Sequence, residues 1–427
     1  MIRFTQPPDP IQGSWTVPGS KYEANRALIL AALAQGESWI ENCPGNEDLD
    51  RAERFVSWIG AGLEKTEGTL RIQGVSGQLK PPLAGEFSCG ASGTLARWAL
   101  AVVALAHEPS RITGEGRLLE RPMGELVMAL RSLGGRVEPP NAKTLPVLVQ
   151  GPLKGGRITL SGRVSSQFGS ALLTVAPLTA LGLTLAFEEP PVSASYLALT
   201  LQLMRDFGAR FEQVARDSWI VPGEQAYRAI RLRITPDPVL ASYFMALPAV
   251  TGGAIRIRDL KPGQVGESRF AGLLEAMGFR VATDAGGVLV EAPRQELQAL
   301  GVIDLADAPD IVPSLAVLAA LVPRGTTTLT GIGHLRYKES DRLGDLAGEL
   351  NRAGLRVQAG PDSLRIEGGG RLRTCTLDAH GDHRLAMSFA LLALAKPGLG
   401  IQGEDAVAKS CPRFWQMLGR LLTNETG

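Results

Sequence analysis

The sequence predicts a mixed α/β chain in which one small helix-and-strand unit is used about six times. Three observations carry that reading. The first is a recurring phrase, an apolar residue or Ala, then Gly, then a short β-type run. It stands as Ile59-Gly60-Ala61-Gly62-Leu63, Leu133-Gly134-Gly135-Arg136-Val137, Phe207-Gly208-Ala209-Arg210-Phe211, Met277-Gly278-Phe279-Arg280-Val281 and Ala353-Gly354-Leu355-Arg356-Val357, and more weakly as Leu418-Gly419-Arg420-Leu421-Leu422. The second is the spacing of its glycines, 65 to 76 residues. That is longer than the roughly 20–50 residues of solenoid repeats, so each unit is a sub-domain. The third is context: an amphipathic helical pattern precedes each phrase, such as Glu125-Leu126-Val127-Met128-Ala129-Leu130, and a second strand follows most of them, such as Leu70-Arg71-Ile72-Gln73-Gly74 or Leu364-Arg365-Ile366-Glu367-Gly368. Gly is what a helix C-terminus needs where the chain turns through positive φ.

Along the chain, helical patterns fall at about 21–35, 92–106, 122–132, 167–181, 194–206, 239–250, 268–276, 310–322, 340–352, 383–395 and 412–422, with strands between. Unusual polar clusters sit just before these helices or in their first turns. Pro18-Gly19-Ser20-Lys21-Tyr22-Glu23 opens the first; Ser20 with Glu23 predicts a capping box. Lys21 opposes the helix dipole unless it shares an anion with the free N–H groups; an exposed lysine is the plainer reading. The Gly-x-x-x-x-Gly-Lys spacing of a P-loop is absent. Cys89-Gly90-Ala91-Ser92-Gly93-Thr94 opens the second helix, its glycines letting backbone N–H groups approach an anion or simply turning a loop. Gly162-Arg163-Val164-Ser165-Ser166-Gln167 offers hydroxyls and an amide for a phosphate or for an N-cap alone. Arg336-Tyr337-Lys338-Glu339-Ser340-Asp341-Arg342 is the densest charge cluster, and Lys338 and Arg342, four apart, are expected on one helix face. Asp378-Ala379-His380-Gly381-Asp382-His383-Arg384 precedes a very apolar helix, so His383 and Arg384 border the core. Cys375, His380 and His383 match no common zinc spacing.

At 427 residues the length prior is two or three domains. Lys plus Arg (44) nearly balance Asp plus Glu (43), for a net charge of +1. That argues against a sequence-independent nucleic-acid binder, which needs a broad basic face. The four cysteines, Cys43, Cys89, Cys375 and Cys411, show no framework spacing, which points to a reducing cytoplasm. The first seven residues carry no apolar signal core, and the longest apolar stretches fall short of a membrane span.

Taken together the polar clusters resemble the motifs of the EPSP synthase (3-phosphoshikimate 1-carboxyvinyltransferase) family, from about Gly13 to Leu418. They run in order: Pro18-Gly19-Ser20-Lys21 with Asn25-Arg26-Ala27-Leu28, then Gly90-Ala91-Ser92-Gly93-Thr94 with Arg97, then Arg121-Pro122-Met123. Ser165-Ser166-Gln167, Ser193-Ala194-Ser195-Tyr196, Asp310, Lys338-Glu339-Ser340-Asp341-Arg342-Leu343, Asp382-His383-Arg384-Leu385-Ala386-Met387-Ser388 and Lys409 with Pro412 follow. The resemblance implies an inside-out α/β prism of two domains, each of three βαβαββ units with helices inside and sheets outside. Domain 1 would hold residues 1–17 and 236–427, domain 2 the inserted residues 18–235, with the active site in the cleft between them.

The implied reaction moves the enolpyruvyl group of phosphoenolpyruvate to the 5-hydroxyl of shikimate 3-phosphate and releases phosphate. It calls for acid–base groups and dense positive charge, with no metal or redox cofactor. By match of position, Lys21, Gly93, Arg121, Gln167, Arg342, Arg384 and Lys409 are expected at phosphoenolpyruvate. Lys21, Tyr22, Arg26, Ser165, Ser166, Gln167, Ser193, Asp310, His334 and Lys338 are expected at shikimate 3-phosphate. Asp310, Glu339 and Lys21 are the candidates for proton transfer. The expected partners are these two small molecules, with no nucleic acid or membrane, and the expected state is a cytoplasmic monomer. Several positions depart from the family pattern: Tyr22 stands where Ser is usual, Ala91 and His334 where Asn is usual, and Trp98 where Pro is usual. Asp237-Pro238-Val239-Leu240 lacks the small hydroxyl residues common there. A different acceptor and a non-catalytic anion-binding homologue are the alternatives. The sister transferase acting on UDP-N-acetylglucosamine is opposed by the absence of cysteine from residues 114–120 and by Tyr22 after Lys21.

Overall fold

The repeating unit is plainest over residues 86–150 of the computed structural model, which describes residues 1–4, 9–80, 85–263 and 265–423. Strand Glu86–Ser88 leads to helix Gly93–Val103, strand Ser110–Thr113, helix Gly124–Ser132 and the strands Arg136–Glu138 and Val147–Gln150. In the sheet the order is first, second, fourth, third. The first pair is parallel and the other two are antiparallel. The parallel pair needs a crossover, which the first helix supplies. The same order recurs in the four other four-stranded sheets among the described residues. Thr5, Gln6 and Pro7, counted above with the N-terminal segment, lie outside the described residues.

The chain divides into two bodies: Met1–Gly19 with Thr235–Gly427, and Ser20–Ile234. In the second body, the repeat of residues 21–73 takes its first strand, Arg231–Arg233, from the body's end; it pairs parallel with Glu37–Glu41. In the first body, strand Ile11–Trp15 plays that part, pairing parallel with Gly253–Arg258. Among the described residues the last repeat has strands Thr376–Asp378 and Gly400–Gln402 and no hairpin after its second helix. Ile2–Arg3 lies antiparallel to Gly400–Gln402 in the place of a fourth strand, so this sheet has three strands.

The first helix of each repeat is buried on nearly every side, and this is what places polar side chains at helix starts within the core. All residues of Lys21–Leu33, Pro238–Met245 and Val312–Ala320 are buried, as is almost all of Gly93–Val103, Gln167–Val175 and His383–Ala395. The second helix of each repeat, such as Arg342–Arg352, buries one stripe only.

Five of the six phrase glycines end helices in the positive-φ region: Gly60, Gly134, Gly208, Gly278 and Gly354. The sixth does not. Gly419 lies inside helix Phe414–Leu422 and so turns nothing. Other expectations also need correction. Helix Glu47–Trp58 stands where a helical pattern was expected before the first phrase, but it lies outside the helix ranges given above. Ser20 stands at the N-cap position, but its side chain makes no capping hydrogen bond, so the capping box with Glu23 does not form. Lys338 and Arg342 do not share a helix face: Asp341 accepts from the Gly344 N–H as N-cap, which starts the helix only at Arg342.

Candidate active site

The expected site residues collect in two groups, one in each body. In the body Ser20–Ile234, three core helices present them. Lys21, at a helix start where its charge is unfavourable alone, is buried and donates to Asp48 Oδ2 at 3.0 Å. One turn on, the Arg26 guanidinium donates from Nη1 to the Tyr22 carbonyl and from Nε to Thr200 Oγ1, both at 2.8 Å. Its carbon lies 5.0 Å from the Trp98 ring and 5.6 Å from the Tyr196 ring. Burial lowers its pKa to about 10, against weaker support from Tyr196 and Tyr22. Tyr22 packs its ring on Tyr196 at 4.6 Å.

Gly93 begins the next core helix. A Cβ there would lie 2.4 Å from a guanidinium nitrogen of both Arg97 and Arg121, so the missing side chain leaves room for two cations at one helix start. Arg97 donates to the Gly93 carbonyl at 2.6 Å. Gln167, heading the third core helix, donates from Nε2 to Thr94 Oγ1 at 3.2 Å, while its buried Oε1 has no hydrogen-bond partner among the described residues. Ser165 Oγ accepts from the Gln167 N–H, and Ser166 Oγ donates to the Ser193 carbonyl, with Ser193 at φ +57°. The helix starts at Lys21, Gly93 and Gln167 thus supply cations, N–H groups and hydroxyls suited to oxyanions.

In the other body, Arg342 is the hub. It is 1% exposed. Its Nη1 donates to Asp310 Oδ1 at 2.8 Å, Nε to Asp382 Oδ2 at 2.8 Å and Nη2 to Glu339 Oε2 at 2.8 Å. Burial alone would lower its pKa; Asp382, Glu339 and Asp310 outweigh burial and hold it above the usual arginine range. Lys409 Nζ lies 3.1 Å from Glu339 Oε1. Arg384 donates to Asp310 Oδ2 at 3.4 Å and to the Tyr243 hydroxyl at 3.3 Å. Asp382 also caps its helix by accepting from the Arg384 N–H. His334 stands close to this charge; burial, with Lys338 and Arg342, lowers its pKa to about 3 against the opposing pull of Asp310, so it is neutral. Its Nε2 has no hydrogen-bond partner.

Sequence reasoning missed the partners. Asp48, Thr200 and Tyr243 had no visible signal. Asp382 stood in a quoted motif, and its position just ahead of a buried helix marked it as a cap. Cys375, His380 and His383 do not gather: His380 faces Glu349 at 3.1 Å, and among the described residues no cluster of His, Cys, Asp and Glu is placed to hold a metal ion. The four cysteines are unpaired, and no described helix is long and apolar enough to cross a membrane.

Comparison with known proteins covers nearly the whole chain. The family model for EPSP synthase (3-phosphoshikimate 1-carboxyvinyltransferase) matches residues 5–418. The 3-phosphoshikimate 1-carboxyvinyltransferase of Methanoculleus marisnigri is 40% identical over 422 residues, 98% of each chain. That of Klebsiella pneumoniae is 35% identical over 98% of each chain. Among solved structures, EPSP synthase from Acinetobacter baumannii superposes with a TM-score of 0.82 at 26% identity, covering 98% of this chain and 97% of its own.

Proposed function

The chain belongs to the EPSP synthase family and transfers the enolpyruvyl group of phosphoenolpyruvate to shikimate 3-phosphate in the shikimate pathway; on that premise we propose that Arg342 is the pivot of its chemistry. The observation that carries the proposal is the hydrogen bonding of one buried guanidinium to Asp310, Glu339 and Asp382 at once. Within the chain, Arg342, Arg384 and Lys409 satisfy these carboxylates. The carboxylate and phosphate of phosphoenolpyruvate compete for the same cations, and the planar forks of Arg342 and Arg384 grip such groups bidentately. Glu339 pairs with both Arg342 and Lys409. When the substrate draws those cations off, the proton affinity of Glu339 rises. A carboxyl tuned upward in this way is suited to deliver a proton to carbon 3 of the enol while the 5-hydroxyl attacks carbon 2. Asp310, held by Arg342 and Arg384, is suited to take the proton of that hydroxyl. The tetrahedral adduct then loses phosphate and a proton, and Lys21 is the third group placed to move one.

In this reading Gly93, Arg121 and Gln167 complete the phosphoenolpyruvate site with Lys21, Arg342, Arg384 and Lys409. Arg26, Ser165, Ser166, Ser193, His334 and Lys338 meet shikimate 3-phosphate with Lys21, Gln167 and Asp310, while Tyr22 packs its ring on Tyr196. The enzyme works as a cytoplasmic monomer; the unpaired cysteines support the compartment.

Phosphate release from phosphoenolpyruvate, without added metal, is the test. It should depend on shikimate 3-phosphate. Glu339→Gln should cost roughly 10²–10⁴-fold in turnover with phosphoenolpyruvate affinity little changed. Arg384→Lys should instead weaken phosphoenolpyruvate, because a point charge does not replace the fork. Equal losses confined to turnover in both variants would overturn the assigned roles.

A further inference from the structure

Arg26 is a buried cation with no carboxylate beside it among the described residues. Its hydrogen bonds go to a hydroxyl and a carbonyl, and its faces go to rings. Arg342, equally buried, is held by three carboxylates. Aromatic faces attract a cation but do not neutralise it, so Arg26 keeps its charge for an anion from outside the chain. The rings that hold it are themselves fixed. Trp98 donates from Nε1 to Thr174 Oγ1 at 3.2 Å, and Thr174 Oγ1 donates on to the Ser170 carbonyl at 2.8 Å. The Tyr196 ring rests on the Tyr22 ring, and the Tyr22 carbonyl takes one Arg26 N–H. Two core helices, Lys21–Leu33 and Gly93–Val103, and the one-sided helix Ala194–Asp206 each add an aromatic side chain to this clamp.

We propose that Trp98 and Tyr22 are positioning residues for the acceptor. Trp98 holds the Arg26 guanidinium directly and Tyr22 holds it through Tyr196, so that the guanidinium meets an oxyanion of shikimate 3-phosphate already aligned. Both stand where the family pattern has Pro and Ser, so the clamp is a feature of this chain rather than of the shared motifs. The inference rests on the reading of Arg26 as an acceptor-binding residue.

Calorimetry and steady-state kinetics on Trp98→Leu, Trp98→Phe, Tyr22→Leu and Arg26→Lys test it. Trp98→Leu should weaken shikimate 3-phosphate about tenfold, the scale of one desolvated cation–π contact. Its kcat and its KM for phosphoenolpyruvate should stay within about twofold, and Trp98→Phe should recover most of the loss because a ring remains. Tyr22→Leu should shift acceptor affinity in the same direction by less, and it carries the test if Trp98→Leu does not fold. Shikimate, which lacks the phosphate, separates the oxyanions. An equal loss for both ligands identifies the carboxylate and a loss for shikimate 3-phosphate alone identifies the phosphate; either upholds the clamp. A lowered melting temperature with unchanged acceptor affinity in both leucine variants overturns it. If Arg26→Lys weakens the acceptor while the ring variants do not, only the clamp falls. If Arg26→Lys leaves the acceptor unchanged, the acceptor reading of Arg26 falls as well.

Discussion

His334 shows how a single buried side chain makes stability depend on pH. Burial comes first among the causes that hold it neutral, with Lys338 and Arg342 adding repulsion and Asp310 opposing them, and its pKa falls to about 3. In the unfolded chain it titrates near 6.5. Between those values the unfolded state binds a proton that the folded state refuses, so stability is lost as pH falls below about 6.5 and the loss grows toward about pH 3. At pH 5 the cost is about 2 kcal/mol, at 1.36 kcal/mol per pH unit. His334→Asn removes the titration. The gap between urea midpoints at pH 7.5 and pH 5.0 should narrow in the variant, and parallel acid sensitivity in both proteins would show that His334 is not its source. At this scale the sequence displayed residue types but not their partnerships. Arg342, Arg384 and Lys409 were legible as a cation set, because each stands in a stretch that resembles a motif of the family. That Arg342 is already shared among Asp310, Glu339 and Asp382 was not, since those residues meet only after three separate helix starts have been brought together.

At the scale of elements, the glycine phrases were the strongest signal because positive φ is a local demand that few residues other than Gly meet. Gly354 sits at φ +89°, and a Cβ there would lie 2.3 Å from the Arg371 carbonyl oxygen. Gly419 has the same look in sequence, but it is exposed within a helix and a Cβ there meets nothing within 4 Å. The same substitution should therefore act with opposite signs. Gly354→Ala should destabilise by more than about 1 kcal/mol through strain and the clash. Gly419→Ala should stabilise by up to about 1 kcal/mol through helix propensity. Chemical denaturation of both variants checks this, and destabilisation at both sites would mean that the sixth phrase does cap a helix. The helix Glu47–Trp58 escaped a range although its pattern is periodic: Leu49, Ala52, Phe55 and Val56 are buried, and the Asn46 cap, which accepts from the Leu49 N–H, marks its start. Tyr22 was legible as a departure but not as half of an aromatic pair, because Tyr196 lies on another helix far along the chain.

At the scale of the whole molecule, strand swaps at the chain's crossings decide which part can fold alone. Residues 20–234 contain every strand of their three sheets, including Arg231–Arg233, which closes the first. Residues 235–427 lack two: Ile11–Trp15, which pairs with Gly253–Arg258, and Ile2–Arg3, which pairs with Gly400–Gln402. Without the first, Gly253–Arg258 becomes an open edge with unpaired N–H and C=O groups. The body also loses Ile11 and Trp15, which are 1% and 3% exposed, and burial of each large apolar side chain contributes about 1.5–3 kcal/mol. Together these losses are a sizeable share of the 5–15 kcal/mol of net stability typical of a domain. Residues 20–234 expressed alone should unfold cooperatively in urea. Residues 235–427 alone should not, and should do so when a peptide of residues 1–19 is supplied. On the roles proposed for Lys21 and Arg121 in one and for Arg342, Arg384 and Glu339 in the other, neither piece should release phosphate from phosphoenolpyruvate by itself. A cooperative transition for residues 235–427 alone, at a midpoint the peptide does not move, would show that the N-terminal strands only decorate the body they join.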